Sequence, residues 1–519
     1  MRLRIGAVAL AALALAAACT PPGRPAGRSF VVSGCTFTDL IPQNQTWDCD
    51  GQLFEVLFTG LEEQDRRTGK VVNAAAESIT SDDQVTWTIK LRDGWTFHNG
   101  EPLTAHSFVD TWNATAASPA ALKDTLSWIE GYQDLNPGEG KEPTATTMSG
   151  LEVLGRLTFQ IRPQPGVEIQ PGWFIGDAYD PLPRAFFREY EAGDLEAWRR
   201  MPIGDGPYQM VRAWKDGEAI ELERYPGYRG TPGLADRIEF RISDDGVRDL
   251  QRGFVDVLTA IDPARFRVVR KEYGDRLVER PSVQFSSIYF PLHNPRFRSK
   301  ALRQALSLAL DRAAITRSLY NDVATPADAL LNPAVLGHRD NTCLYCKLDI
   351  GTARQKLAAS GWTGKLDLFC ADGPFNLQLY EAIAAQWRRN LGIDVVVHQI
   401  SSGDIQPDES TGPGFAGPWQ DSSALDNEPS SWLGWFQTDA FFNWSGFSNP
   451  EVDRLLAAGN AAQAPGSYSY FQQAEDIILE DMPIIPLWYP HQYIVHSDRV
   501  TNITFIGDYI ALERIKVVD

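Results

Sequence analysis

Between Gln84 and Trp112 the hydrophobic period changes once, and that change restricts the possible folds more than any other feature of this chain. In QVTWTIKL (84–91), Val85, Trp87, Ile89 and Leu91 alternate with polar neighbours, the period of two expected of a half-buried strand. Arg92-Asp93-Gly94 is turn chemistry, Trp95-Thr96-Phe97 continues the strand, and His98-Asn99-Gly100 turns the chain again. Thr104 then stands where a helix cap belongs, with Phe108, Val109 and Trp112 on one helical face. The same alternation recurs downstream. Leu302, Ala305, Leu306, Ala309, Leu310 and Ala313 form one stripe that predicts a long helix over 297–320. In SNPEVDRLLAAG (448–459), Asn449 is the cap, Pro450 the first helical residue, and Glu451 sits near the positive helix end. Strand-like runs lie at 282–291, 393–400 and 484–495. Helices alternating with strands predict a mixed α/β class.

The 519 residues leave room for two or three domains of roughly 100–200 residues each. No self-similar period marks a solenoid or propeller. A formal net charge of −19, with no Lys/Arg cluster to offset it, repels phosphate backbones and argues against nucleic-acid binding. The longest apolar run, Ile5–Ala18 behind Arg2 and Arg4, is shorter than the roughly 18–20 residues that span a bilayer. It has instead the basic, apolar and small-residue regions of a secretory signal, expected at 1–18. Residues 19–29, rich in Pro and Gly, read as a flexible tether.

In an exported protein, paired cysteines read most simply as disulfides. Cys35 and Cys49 bracket TFTDLIPQNQTWD, and Cys343 and Cys346 form a CxxC. Closing the first loop, of about 15 residues, stabilises by ~3 kcal/mol in the chain-entropy model. No second CxxC or histidine pair accompanies Cys343-Cys346 to hold zinc, so no metal and no cofactor is expected. Cys370 in LDLFCAD is left as a buried thiol. There is no HExxH, no GxSxG and no GxxxxGK[ST]. Any two of the abundant carboxylates could form a glycosidase pair. A secreted carbohydrate-active hydrolase is therefore the alternative to a binding protein.

Leu15-Ala16-Ala17-Ala18-Cys19 resembles a bacterial lipobox, with Leu one place earlier than usual. The resemblance implies cleavage before Cys19 and a lipid there that anchors the chain to the outer face of the cell membrane. Several further stretches, read in order, resemble the oligopeptide- and dipeptide-binding lipoproteins of ABC importers. They are LFTGLEEQDRRTGKVVNAAAESITSDDQVTWTIKLRDGWTFHNGEPLTAHSFVDTW (57–112), IGDGPYQM (203–210), HNPRFRSKALRQALSLALDRAAI (293–315) and MPIIPLWYP (482–490). In the second, Asp205 replaces the family's usual Thr. Gly204, Gly206 and Pro207 read as turn residues, and Arg303 and Arg312 as the solvated face of their helix.

This resemblance implies a two-lobed periplasmic-binding-protein-like α/β fold of the peptide-binding class, with the ligand cleft between the lobes. Lobe one is expected at 30–285 and 488–519, with an extra subdomain near 76–180, and lobe two at 286–487. Family members hold an extended peptide by its backbone, much like an added strand. One wall is implied at NQTWDCD (44–50), giving Asn44, Gln45, Thr46, Trp47 and Asp48. The other is implied at GFAGPWQDSSALDNEPSSWLGWF (414–436), giving Gly417, Trp419, Gln420, Asp421, Asp426, Trp432 and Trp435. Asp421 or Asp426 is the candidate partner of the peptide ammonium. Asp421 is preferred for its place in a Gly/Pro-rich loop. The expected partners are a peptide or peptide-like solute, an ABC permease, and the membrane through its lipid. The chain is expected to be a monomer.

Overall fold

The computed structural model describes residues 27–518 except 35–36, 38, 46–47, 66–69, 84, 139, 166, 168, 170–171, 244, 260, 262–264, 322, 401–415, 424–426, 439, 441–442, 463–465 and 507–508. Helices and strands alternate along the chain, as its hydrophobic periods predict. Two compact units result. The first comprises Met1–Ile261, Asp275–Val278 and Ile494–Asp519, and the second Asp262–Gly274 and Glu279–Tyr493.

In the first unit, strand Ser29–Gly34 runs parallel to both Arg237–Ile242 and Val257–Leu258. Ile220–Arg224 and Tyr208–Met210 extend the sheet antiparallel. Phe30, Val32, Leu53, Leu57, Ile238 and Leu512 meet in one core. The C-terminal segment is tied in by charge: buried Asp256 accepts from Val31 N at 3.1 Å, from Ser497 Oγ at 2.9 Å and from Arg499 Nη1 at 3.0 Å. A four-stranded antiparallel sheet (Ala76–Thr80, Trp87–Leu91, Thr158–Ile161, Leu151–Gly155) has its own core around Ile89, Phe108, Trp112 and Phe159. Helix Ala105–Ala117 starts at Thr104 as expected, where Thr104 N donates to Ser107 Oγ at 3.1 Å. The strand is shorter than its alternation suggests. Val85 is exposed outside it, and Thr96 makes a single bridge to Pro102 instead of continuing it.

The second unit is built on a sheet ordered Asp394–Ile400, Lys365–Ala371, Trp419–Ser423, Phe285–Tyr289 and the strand beginning at Ile484. Helix Pro450–Ala461 starts where predicted, with Asn449 Oδ1 accepting from Glu451 N at 2.9 Å. The expected long helix over 297–320 is instead two, Lys300–Leu308 and Arg312–Leu319. Asp311 breaks it by capping the second, accepting from Ala314 N at 2.8 Å. Nor do Arg303 and Arg312 lie on a solvated face, because both are buried. Arg303 donates to the carbonyls of Met482 and Phe297 and pairs with Asp481. Arg312 donates to the carbonyls of Pro486, Ser307 and Cys346 at 2.6–3.1 Å. A guanidinium's fixed fork of five donors suits such a junction of carbonyls, each of which would be costly to bury unmatched. Cys343 and Cys346 are bonded to each other, and Cys370 is a free, buried thiol. Cys19 and Cys35 lie outside the described residues, as does the side chain of Cys49.

The turn residues of GWTFHNG and IGDGPY meet inside the first unit. His98 N donates to Gly204 O at 2.8 Å and its Nε2 to Gly206 O at 3.1 Å. An added Cβ on Gly204 or Gly206 would strike the backbone at Leu57. These glycines therefore permit close approach to the end of helix Asp48–Leu57, beyond turning the chain. Asp205 is carried in between them, 1% exposed, its Oδ1 accepting from Thr59 N at 2.9 Å. Burial pushes its pKa up to about 8. An unfolded aspartate ionises near pH 4, so between these values the folded chain keeps a proton that the unfolded chain releases. This contribution to stability is full below about pH 4, declines as pH rises, and levels off above about pH 8. Asp205→Asn keeps an acceptor but cannot ionise. In thermal melts from pH 5 to 9 it should gain on the wild type as pH rises, by at most about 1.4 kcal/mol per pH unit. Parallel curves would contradict this.

Candidate functional site

The residues with the strongest claim to a ligand lie on one strand of the second unit. Trp419–Ser423 pairs antiparallel with Phe285–Tyr289, in the register Tyr289↔Trp419, Ser287↔Asp421 and Phe285↔Ser423. It also meets Lys365–Ala371 at Phe369↔Trp419. Asp421 is thus on a strand and not in the loop expected from its glycines and prolines, because both neighbours supply ladder partners. Alternation along a strand sends Trp419 and Asp421 to one face and Gln420 to the other.

Trp419, 1% exposed, stacks on Tyr289 with ring centroids 5.5 Å apart. From Tyr289 a run of rings continues to Trp444 (6.0 Å), Trp435 (5.5 Å), Trp432 (6.3 Å) and Phe285 (6.2 Å). Asp421 is 9% exposed. Desolvation first, and then the charge of Asp421, hold the buried phenol of Tyr289 well above its ordinary pKa, and the carboxylate acts in the same sense on Tyr380. The arrangement is a buried acidic side chain close to a run of large aromatic rings.

The other expected residues divide by what holds them. Gln420 Oε1 accepts from Ala371 N at 3.1 Å and Nε2 reaches Asn376 Oδ1 at 3.4 Å, so its side chain braces the sheet. Gly417 is fixed by packing: a Cβ there would run into the carbonyl of Asp367. In the first unit, Asn44 Nδ2 donates to Asp39 Oδ2 at 2.9 Å, and Gln45 follows the turn Pro42–Asn44 and borders a cavity. Helix Asp48–Leu57 begins at Asp48. Thr46, Trp47 and Asp426 lie outside the described residues, as does the side chain of Asp48. Tyr289, which stacks on Trp419, is not among the residues the sequence points to. Its signal was the period of two through Phe285, Ser287 and Tyr289, which marks one face of a strand but does not reveal the strand's partner.

The chain belongs to the bacterial extracellular solute-binding proteins, family 5, whose middle-region model matches residues 70–451. It is 25% identical over 454 residues to the dipeptide-binding protein DppE of Bacillus subtilis, covering 82% of this chain and 79% of that one. It is 25% identical over 512 residues to the periplasmic oligopeptide-binding protein OppA of Salmonella typhimurium, covering 93% and 92%. The fold matches Haemophilus influenzae OppA in complex with RPPGFSPFR at a TM-score of 0.75, with 23% identity, over 96% of this chain and 100% of that one. Solute-binding proteins of this family are not enzymes, and the hydrolase alternative finds no support among these relatives. No helix among the described residues is long and apolar enough to cross a membrane.

The packing at Gly417 gives a direct test of the strand's placement. Gly417→Ala forces apart the strand Lys365–Ala371 and the entry to Trp419–Ser423, an overpacking expected to cost about 1–3 kcal/mol. Denaturant melts should show that loss. A Gly417→Ala protein as stable as the wild type would mean that this close approach is not made.

Proposed function

We propose that this chain is an exported receptor of an ABC importer. On this reading it captures a peptide or peptide-like solute between its two lobes, near 30–285 with 488–519 and near 286–487, and delivers it to a membrane permease. The observation that carries the proposal is Asp421, a buried carboxylate on the Trp419–Ser423 strand among stacked rings. The names of the relatives supply the solute class: DppE for dipeptides and OppA for oligopeptides. An extended peptide offers one feature common to all sequences, its terminal ammonium. A receptor tolerant of side chains fixes register there, through a charge-assisted hydrogen bond, while the backbone pairs as an added strand would. Binding performs no chemistry. It shifts the equilibrium between open and closed forms by the ligand's differential affinity for the two.

The wall at 44–50 supplies Gln45, Thr46, Trp47 and Asp48 to this reading, and the opposite wall supplies Trp419, Trp432 and Trp435. Asp426 is the alternative ammonium partner. Cys19, lipidated, keeps the receptor beside its permease, and Cys35 pairs with Cys49.

Calorimetry with RPPGFSPFR and its N-acetylated twin tests the ammonium contact on the wild type, Asp421→Asn and Asp426→Asn. The true partner's substitution should cost about 2–5 kcal/mol for the free peptide, with little further loss on acetylation. Equal binding of both peptides by the wild type would remove amino-end recognition from the account. For the anchor, Cys19→Ala should move the protein from the membrane fraction to the medium or to an uncleaved precursor. A processed Cys19→Ala chain that stays in the membrane fraction would rule the lipid out.

A further inference from the structure

A cavity of about 810 Å³ lies within the first unit, and Gln45, given above to the peptide wall, is among its lining residues. Its walls come from helix Asp48–Leu57, the segment that follows it, the turn at 175–180 and the C-terminal segment. Seven carboxyl side chains are among its described lining residues, and Arg514 is the one Lys or Arg there. Some of these acids have structural work. Glu62, for instance, accepts from Gly172 N at 3.1 Å and Phe174 N at 3.2 Å.

Asp180 is different. It is 7% exposed and lines the cavity. Its Oδ1 stands beside Gly60, another lining residue, 3.7 Å from where a Cβ on that glycine would lie. Among the described residues no hydrogen-bond donor and no cation reaches this carboxyl, and the charged groups that act on it are Asp177, Asp205 and Glu55, all acids. Interiors do not keep a carboxyl in that setting without cost unless a donor or a cation arrives.

The cavity has room for an organic partner. Among the described residues no three His, Cys, Asp or Glu side chains come together as metal ligands. The cavity far exceeds the roughly 30 Å³ share of a single water. Phe54, Phe58, Tyr228 and Tyr509 add ring surfaces to its walls, which suit alkyl chains and ammonium groups. We propose that this cavity binds a small organic polyammonium ion, with Asp180 as its innermost charge partner. Burial and the neighbouring acids Asp177, Asp205 and Glu55 raise the pKa of Asp180 well above the carboxylate range, so an arriving cation displaces its proton. Binding therefore releases a proton and tightens as pH rises.

The test is calorimetry with spermidine, run against magnesium chloride at equal ionic strength, in two buffers of different ionisation enthalpy. Saturable spermidine binding is expected, with a buffer-dependent heat of the sign of proton release. Asp180→Asn should weaken it at least tenfold while leaving the affinity for RPPGFSPFR unchanged, which separates this site from the peptide site. The proposal fails if spermidine shows no saturable binding, if magnesium reproduces its effect, or if Asp180→Asn binds spermidine as the wild type does. Should Asp180→Asn not fold, Glu55→Gln on the same wall is read with the same outcomes.

Discussion

The antiparallel ladder between Phe285–Tyr289 and Trp419–Ser423 sets the geometry on which the candidate site depends. All five residues of the first strand are buried, so it has no free face on which to slide. A slip of one residue would exchange Asp421 for Gln420 and turn the acid to the other side. The stack of Trp419 on Tyr289 crosses this ladder, and the hold of Gln420 on Ala371 N and the tight approach of Gly417 to Asp367 fix the strand on its other side. A side chain on such a strand is held more firmly than one on a loop. A carboxylate there can act as a fixed reference for a ligand's charge.

Periodicity alone was enough to read the class of the fold and a few of its elements. Pro450 behind Asn449 and the buried strand at Ile484 were legible because their signals are local. The division of 297–320 into two helices was not, because it rests on Arg312 finding Pro486 and Cys346, and on Asp311 capping locally. An arginine at the end of an amphipathic stripe looks solvated until its distant carbonyls are known. Gly204 and Gly206 read as turn residues for the same reason: the Leu57 backbone they approach lies far away in sequence. Trp419 and Asp421 were legible as a pair. Their strand, and Tyr289 opposite, were not, since glycine and proline nearby argue for a loop until pairing on two sides overrides them.

The two units manage acidic groups differently. In the second, Asp421 stands among aromatic rings and beside the phenols of Tyr289 and Tyr380. In the first, Asp180 and Asp205 sit among other acids, and burial holds both above the ordinary carboxylate range. A chain with formal net charge −19 has a bias toward positively charged solutes, but net charge draws ligands without selecting them. Selection requires a placed carboxylate, and each of the two proposed sites rests on one. No step in either place asks for bond making or breaking.

The proposed solute is a peptide, taken up intact. Mass spectrometry of the small molecules released when natively purified protein is denatured tests it most directly. Unmodified peptides with free amino ends are expected, in amounts comparable to the protein. Release of a sugar, haem or a metal complex in that amount, without peptide, would contradict it.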